Sequence, residues 1–272
     1  MSEQQAGRVA VITGAASGIG RGLAQHAAGL GMRLALADRD RAGLDELASE
    51  LLGAGCEVLA QVTDVSREQD LITLRDATLA RFGGVDLLFN NAGIMQTGAS
   101  WELSEAQWRR MLDINLLGVT HGLRAFVPTL LAQGKPAHIV NTASLAGLLA
   151  SPFLAAYTVT KQALVALSEV LHHELAASGA AIGVSVLCPG PVASRIMASD
   201  QVGHGAGSAL GAQLEQSIRA GMPADELAAR VFEAIAHKRF WILPHPDFKP
   251  ALQARTQSIL DETNPVFLLA DV

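Results

Sequence analysis

The chain has a single tyrosine, Tyr157, and a lysine, Lys161, follows it four positions later in the segment YTVTK. Two residues with this spacing on a helix share one face, so the ammonium group would lie one turn from the phenol. A phenol has a pKa near 10, and acid/base work at neutral pH needs a pKa about three units lower, or roughly 4 kcal/mol. An ammonium group about 4 Å away supplies about 4 kcal/mol at an effective dielectric constant of about 20. We therefore expect Lys161 alone to be sufficient to activate Tyr157.

Two polar residues upstream complete a candidate catalytic set. Ser144, in NTASLAG, follows the apolar run 138–142, and its hydroxyl could orient a substrate oxygen. Asn115, in DINLLG, falls in a long helical segment and could hold a water molecule that relays the proton to solvent. Each residue also has an ordinary structural explanation. A buried serine usually bonds to backbone, a helical asparagine usually faces solvent, and Tyr157 could simply pack on a sheet.

A glycine-rich stretch, TGAASGIG at 13–20, lies between a predicted strand and a predicted helix. Gly14, Gly18 and Gly20 would allow a tight turn and the close approach of a pyrophosphate to backbone N–H groups. The helix beginning near Ile19 would present its positive dipole end to that anion. The spacing Gly-x-x-x-Gly-x-Gly differs from the commonest dinucleotide fingerprint, and a sharp turn without a ligand is the alternative.

An acidic residue, Asp38, ends the second apolar run, 33–37. Its carboxylate could accept hydrogen bonds from an adenosine ribose and would repel a 2′-phosphate, which favours NAD. Arg39 follows and could instead pair with that phosphate, so NADP is the alternative cofactor. A helix cap or a solvated charged turn would also explain Asp38.

These residues fall in a regular alternation of short apolar runs and longer segments of helical period. The pattern predicts one α/β domain over residues 1–272, with a parallel, doubly wound Rossmann-type sheet of about seven strands and helices on both faces. Ligands of such sheets bind at the carboxyl ends of the strands, where Asn90, Ser144 and Pro189 fall. The predicted strands are 8–13, 33–37, 57–62, 85–90, 138–142, 183–188 and 240–243, and the predicted helices are 19–30, 42–52, 68–82, 104–132 and 155–177.

Composition narrows the class of protein. Half of the residues are apolar and 17% are charged, which provides a large core and suggests subunit contacts. The net charge of −6 predicts no nucleic-acid partner and no membrane surface. Two distant cysteines, Cys56 and Cys188, indicate a reduced cytoplasmic protein without disulfides or a metal site. The most apolar long stretch, 143–156, is too short to span a membrane, and the polar segment 199–213 suggests a substrate lid over residues 191–222.

The motifs in their order resemble the short-chain dehydrogenase/reductase family over about residues 8–245. They are TGAASGIG, NNAG at 90–93, Asn115, Ser144 thirteen residues before Tyr157, Lys161, and CPGPVAS at 188–194. The resemblance implies NAD(P)-dependent interconversion of a secondary alcohol and a ketone, with Asn115, Ser144, Tyr157 and Lys161 as the catalytic residues. The positions it assigns to the cofactor are Gly14, Ser17, Gly18, Ile19, Gly20, Asp38, Arg39, Asp64, Val65, Asn91, Ala92, Gly93, Tyr157, Lys161, Pro189, Gly190, Val192 and Ser194.

The substrate is expected to be a small hydrophobic alcohol or ketone, of aryl, steroid or terpenoid type. HIVNTASLAG and PGPVASRIMAS are similar to segments of bacterial dehydrogenases that oxidise benzylic Cα alcohols. The resemblance also implies a homodimer or homotetramer formed through the two long helices. A non-catalytic NAD(P)-sensing regulatory protein and a methyltransferase that binds S-adenosylmethionine are the alternatives. An apolar substrate wall, or else ordinary core, is expected from Met95, Trp101, Leu145, Phe153 and Met197.

Overall fold

The structure is a computed structural model, and it describes residues 5–197 and 207–267 of the 272. Its strands form one parallel sheet in the order β3-β2-β1-β4-β5-β6-β7. The chain starts in the middle of the sheet, runs to one edge, and returns to build the other half, which confirms the doubly wound Rossmann-type prediction. The strands are β1 Val9–Thr13, β2 Arg33–Asp38, β3 Val58–Val62, β4 Leu87–Asn90, β5 Ala137–Thr142, β6 Ile182–Leu187 and β7 Trp241–Ile242.

The helices that connect the strands cover both faces of the sheet. The left-handed residues Gly83 (φ 79°) and Gly134 (φ 60°) end two of them, and a capping box between Ser104 and Gln107 starts another. Three helices after β6 were not predicted. The helices are α1 Gly18–Gly29, α2 Arg41–Gly53, α3 Glu68–Phe82, α4 Glu105–Leu112, α5 Gly118–Gln133, α6 Ala155–Ala177, α7 Gly207–Arg219, α8 Ala224–Ala236 and α9 Lys249–Leu260.

The predicted helix 104–132 is wrong as a single α-helix. Between α4 and α5 the chain forms a π-helical turn, Asp113–Leu117, which contains Asn115. Gly118 follows directly, and a Cβ atom there would lie 2.8 Å from Val65 Cγ2. The wider turn therefore places Asn115 toward the interior while α5 approaches the loop after β3 closely.

Alternate strand residues pack on opposite faces of the sheet, so the central strands are buried on both sides. Val9 and Val11 contribute to the core under α3, α5 and α6, whereas Ala10 and Ile12 contribute to the core under α1, α2 and α8. A third apolar cluster surrounds Tyr157 beyond the strand ends and includes residues of α6 and α7. The two main cores hold the strand ends in register, and the third covers them.

Candidate active site

A cavity of about 510 Å³ opens at the carboxyl ends of β1, β2, β4, β5 and β6. This is the position at which open parallel sheets bind ligands. Of the residues predicted for the site, Gly20, Trp101, Asn115, Phe153 and Met197 do not line it. The predicted residues in its wall are Gly14, Ser17, Gly18, Ile19, Asp38, Arg39, Asp64, Val65, Asn91, Ala92, Gly93, Met95, Ser144, Leu145, Tyr157, Lys161, Pro189, Gly190, Val192 and Ser194.

The glycine turn between β1 and α1 has the shape of a diphosphate cradle. Gly14 and Gly18 have positive φ values of 68° and 51°. A Cβ atom at Gly14 would lie 2.8 Å from Ala92 Cα, and one at Gly18 would lie 2.6 Å from Ser194 Cβ. Ser17 is the N-cap of α1 but its side chain makes no capping hydrogen bond, so the first N–H groups of the helix face the cavity end. The turn therefore fits a dinucleotide.

The carboxylate of Asp38 is fixed at the mouth of this cradle. Its Oδ2 accepts from the Ala16 N–H at 2.9 Å, and its Oδ1 accepts from the Asp40 N–H at 2.9 Å. Asp38 is not the helix cap that was the alternative explanation for it. That cap is Asp40, whose side chain accepts a hydrogen bond from the Gly43 N–H at the start of α2. Each carboxylate oxygen of Asp38 keeps a further lone pair that can accept from a ribose hydroxyl.

A second acidic residue, Asp64, lies at the end of β3 on the same side of the cavity. Its Oδ1 accepts from the Ser66 N–H at 3.0 Å and from the Ser66 hydroxyl at 2.6 Å. The Asp64 N–H donates to Asp70 Oδ2 at 3.0 Å, which anchors the turn on α3. Asp64 and Val65 thus form a fixed edge of the cavity, and the adenine contact that the family resemblance implies for them stays a prediction.

Asn91 and Thr13 tie three strand ends together beneath the cavity. The Thr13 hydroxyl accepts from the N–H groups of Asn91 (3.0 Å) and Ala92 (3.1 Å) and donates to Phe89 O at 3.2 Å. Asn91 Nδ2 donates to Thr13 O at 3.1 Å, and Asn91 Oδ1 accepts from the Thr142 hydroxyl at 3.3 Å. Sequence reasoning missed Thr13 and Thr142, whose only signal was a hydroxyl at the end of an apolar strand.

Tyr157, Lys161 and Ser144 meet at the floor of the cavity. Tyr157 and Lys161 lie on one face of α6 with only 6% and 2% of their surface exposed, and the Ser144 hydroxyl lies close enough to the Tyr157 phenol to lower its pKa. Lys161 Nζ donates to Thr142 O at 2.8 Å and lies 5.6 Å from the centroid of the Tyr157 ring. Ser144 Oγ also accepts from the Ala146 N–H at 3.1 Å, which fixes the hydroxyl at the start of a short 3₁₀ turn.

The prediction that Lys161 alone activates Tyr157 is wrong in this structure. Burial raises the pKa of Tyr157 to about 12, although the hydrogen bond from Ser144 opposes the shift. Burial also lowers the pKa of Lys161 to about 8, because its ammonium group has lost most of its water. Desolvation is the largest influence on the pKa of each group, and Lys161 donates its hydrogen bond to the Thr142 carbonyl oxygen.

Asn115 occupies the π-helical turn and connects three segments. Its Oδ1 accepts from the Ile94 N–H at 2.8 Å, while Nδ2 donates to Ile94 O at 2.9 Å and to Thr160 Oγ1 at 3.2 Å. The Thr160 hydroxyl in turn donates to Tyr157 O at 2.7 Å. The Asn115 side chain therefore holds the loop after β4 against the catalytic turn of α6. A water relay through Asn115 stays a prediction.

The end of the cavity beyond Tyr157 is apolar. Met95 and Leu145 line it as predicted, while Met197 is buried next to the lining within the same apolar cluster. Phe153 adopts a φ of 60° and lies outside the wall, and Trp101 is 83% exposed. Sequence reasoning missed the other apolar lining residues, which are Ile94, Ile114, Leu149, Leu154, Ile196, Leu214, Ile218 and Phe248.

The predicted lid, 191–222, is described in part, since residues 198–206 lie outside the described residues. Its described part contributes Ile196 and two residues of α7, Leu214 and Ile218, to the apolar wall. At the opposite end of the cavity Arg195 pairs with Asp40 at 3.3 Å. Both ends of the cavity are thus bordered by this segment.

Cys188 is buried beside the catalytic residues as a thiol. Burial raises its pKa to about 12, so it does not provide a thiolate nucleophile. Within residues 5–197 and 207–267, no group of three or more His, Cys, Asp or Glu side chains could hold a metal ion. The same residues contain no helix long and apolar enough to cross a membrane.

Comparisons with known proteins agree with this geometry. The family model described as short chain dehydrogenase matches residues 8–203. A CLA biosynthesis dehydrogenase/reductase from Lactiplantibacillus plantarum is 32% identical over 271 residues, which cover 95% of each chain. A 1-deoxy-11-beta-hydroxypentalenate dehydrogenase from Streptomyces exfoliatus is 33% identical over 248 residues, covering 90% of this chain and 86% of the relative.

One solved structure is similar over nearly its full length. It is a short chain dehydrogenase/reductase from Burkholderia phymatum in complex with NAD, 41% identical, with a TM-score of 0.93 over 97% of this chain and 98% of that chain. The glycine turn, the convergence of Ser144, Tyr157 and Lys161 on one cavity, and the family match over 8–203 identify one class of protein. The chain belongs to the short-chain dehydrogenase/reductase family, whose members are oxidoreductases that use a nicotinamide cofactor.

Proposed function

We propose that this oxidoreductase interconverts a hydrophobic secondary alcohol and its ketone with NAD, using Tyr157 as the acid/base. The observation that carries the proposal is the convergence of Tyr157, Lys161 and Ser144 on one cavity, with the Ser144 hydroxyl close enough to the phenol to lower its pKa. One end of that cavity is apolar, and the other combines a glycine cradle with the carboxylate of Asp38. A reacting carbon held above Tyr157 would have its oxygen beside both hydroxyl groups.

Several residues of the chain would hold the cofactor. The turn around Gly14 and Gly18, with the N-terminus of α1, would bind the diphosphate. Asp38 would accept from the adenosine ribose, and its negative charge disfavours a 2′-phosphate. Arg39 lines the cavity but is exposed to solvent, so it offers that phosphate only a screened interaction. The Burkholderia relative, whose structure contains NAD, supports the same choice.

The side chains of this chain divide the oxidation step between them. When bound, an oxidised nicotinamide would supply the acceptor for the hydride of the carbinol carbon and a positive charge. Tyr157 takes the proton of the substrate hydroxyl, and the Ser144 hydroxyl orients the substrate oxygen. Lys161 lies 5.6 Å from the centroid of the Tyr157 ring, where its charge would favour the phenolate that burial disfavours, and it would contact the nicotinamide ribose. In the reverse direction the Tyr157 phenol returns the proton to the ketone oxygen.

Replacing the phenol tests this mechanism directly. Tyr157→Phe removes one oxygen atom and leaves the cavity otherwise intact, so we expect turnover to fall by at least about 100-fold while the Kd of NADH stays unchanged. Steady-state kinetics and NADH fluorescence measure the two quantities. Near-normal turnover in this variant would refute the assignment of Tyr157.

A matched control lies on the same helix. The Thr158 hydroxyl is buried and has no hydrogen-bond partner among the described residues. Thr158→Val keeps the size of the side chain and removes that hydroxyl, so it should retain turnover. Loss of activity in both variants would indicate general damage to α6 rather than loss of an acid/base.

The substrate class is open to a direct assay. Aliphatic, benzylic, steroid, terpenoid and sugar alcohols are offered to the enzyme with NAD or with NADP, and cofactor reduction is followed by absorbance. We expect activity on aryl, steroid or terpenoid alcohols and little on sugars, because the wall beyond Tyr157 is apolar. Reduction of neither cofactor with any alcohol or ketone would favour the non-catalytic NAD(P)-sensing alternative.

A further inference from the structure

A histidine outside the catalytic set contacts the turn that borders the cavity after β6. His245 lies in the segment LPHPDF, residues 243–248, which follows β7. Its Nδ1 accepts a hydrogen bond from the Gly190 N–H at 3.0 Å, and its Nε2 donates to Pro191 O at 3.2 Å. One imidazole ring therefore satisfies a donor and an acceptor on the same turn.

These two bonds define the protonation state of the ring. Nδ1 must be unprotonated because its partner is an N–H group, and Nε2 must carry the proton because its partner is a carbonyl oxygen. His245 is thus the neutral Nε2–H tautomer. A second proton would set two donors, Nδ1–H and the Gly190 N–H, against each other.

The Gly190–Pro191 turn lies between the His245 ring and the segment after Ser144, which contains Leu145. A Cβ atom at Gly190 would lie 3.1 Å from both His245 Cγ and Leu145 Cδ1. On the other side the Leu145 N–H donates to Pro189 O at 2.9 Å. The Met222 N–H also donates to Pro191 O at 3.0 Å. Displacement of His245 would therefore release the Gly190 N–H and one of the contacts that hold the turn.

The backbone around His245 is conformationally restricted and is anchored to α8. Proline residues precede and follow it, which restricts the backbone on both sides. Pro244 O accepts from Arg230 Nη1 at 2.6 Å, and Arg230 also pairs with Glu226 on α8. Phe248, at the end of the segment, lines the cavity.

We propose that His245 is a positioning residue that holds the Gly190–Pro191 turn in shape for the cofactor, and that its protonation weakens cofactor binding. The inference rests on the proposed function only in that Gly190 borders the nicotinamide end of the cavity. Burial lowers the pKa of His245 below its ordinary value near 6.5, and Arg230 lowers it further, while Asp247 and Glu226 act in the opposite direction. The effect is therefore expected at acidic pH.

Two variants separate the hydrogen bonds from the space that the ring fills. His245→Phe keeps a ring and removes both bonds, so we expect the Kd of NADH to rise about tenfold at pH 8. His245→Asn places an amide oxygen close to the position of Nδ1, so it can still accept from Gly190 and should stay within about twofold of the unmodified protein. His237→Phe, at an exposed histidine after α8, is the control and should change nothing.

The dependence of the Kd of NADH on pH distinguishes the proposed role from a purely structural one, which would not depend on the protonation of His245. From pH 8 to pH 5.5 we expect the Kd of NADH to rise by about threefold in the unmodified protein and to stay nearly constant in His245→Asn, which cannot titrate. ¹⁵N-histidine NMR spectra, assigned by comparison with His245→Asn, should show the Nε2–H tautomer above the titration and the doubly protonated ring below it.

The outcomes distinguish this inference from the proposed function. Equal Kd values for His245→Phe and the unmodified protein at pH 8, or the same pH dependence in His245→Asn, would overturn the positioning role alone. Failure of the unmodified protein to bind NADH or NADPH at any pH would overturn the proposed function and this inference together. If His245→Phe does not fold, the Kd of NADH as a function of pH in the unmodified protein and in His245→Asn still tests the inference.

Discussion

Gly20, in the first turn of α1, does not line the cavity, yet no other residue fits there. A Cβ atom at this position would overlap the Gly14 carbonyl oxygen and come within 2.8 Å of Asn91 Nδ2. The third glycine of the turn therefore serves close packing between the helix and the strand end. The sequence motif correctly identified Gly20 as part of the turn, but it did not show that Gly20 is needed for close packing rather than for contact with the cavity.

A pair of glycine substitutions in one helix tests that interpretation. Gly20→Ala should destabilise the protein by about 2–3 kcal/mol and weaken cofactor binding, because backbone must move to make room. Gly29→Ala, where a Cβ atom would meet nothing within 4 Å, should be neutral or stabilise the protein by up to about 1 kcal/mol. Urea denaturation of both variants measures the difference, and equal effects would contradict the packing argument.

The catalytic pair shows what spacing predicts and what it does not. Positions 157 and 161 share a helix face, as their separation required, and both residues line the cavity. Their pKa values depend on burial, which raises that of Tyr157 to about 12 and lowers that of Lys161 to about 8. A charge-pair estimate made from sequence has no term for lost water, so it overestimated the activation.

At the level of elements, the strands were easier to predict than the helices that follow the last motif. Each buried strand is a continuous apolar run, which is a strong local signal. The π-helical turn at Asp113–Leu117 depends on Asn115 bonding to the loop after β4, a contact between distant segments. Likewise α9 buries no residue, so no apolar stripe marked it in the sequence.

A buried histidine in the sheet makes stability depend on pH. His138 on β5 is 5% exposed, and its Nε2 lies 2.7 Å from the Ser185 hydroxyl of β6, which itself donates to Arg239 O. Burial lowers the pKa of His138 to about 4, with smaller contributions from Arg8 and Lys238. The ring is therefore neutral in the folded protein and carries its proton on Nε2.

This histidine predicts acid destabilisation in a defined window. The unfolded chain takes up a proton near pH 6.5 and the folded chain only near pH 4, so stability is complete above about pH 6.5 and is lost as the pH falls. The contribution is up to about 1.4 kcal/mol per pH unit, or about 3 kcal/mol over the window. Denaturant unfolding between pH 7.5 and 4.5 should show a shallower acid slope in His138→Leu. Parallel slopes would contradict the assignment.

For the molecule as a whole, motif order predicted both the architecture and most of the cofactor end of the site. The apolar end was harder, because Leu214 and Phe248 come from segments without a motif and converge with Ile196 only in the folded chain. Exposed apolar side chains on α6, Val159 and Val170, favour the predicted homo-oligomer. Its subunit number and its cytoplasmic location stay predictions.

Cofactor binding should be visible in the stability of the whole protein. A ligand that binds only the folded state at about 100 times its Kd adds about 2.7 kcal/mol, which for a chain of this length raises the Tm by about 5–10 °C. We expect NAD to produce such a shift and NADP a smaller one, since the carboxylate of Asp38 is fixed by two backbone N–H groups at the cradle. S-adenosylmethionine, the ligand of the methyltransferase alternative, should produce none.

Asp38→Asn separates charge from shape in this measurement. The amide has the size of the carboxylate but no negative charge, so the repulsion of a 2′-phosphate disappears and the shifts with NAD and NADP should become similar. A larger shift with NADP in the unmodified protein would identify Arg39, rather than Asp38, as the residue that selects the cofactor. Because the measurement needs no substrate, it tests the cofactor end of the site independently of the alcohol that Tyr157 serves.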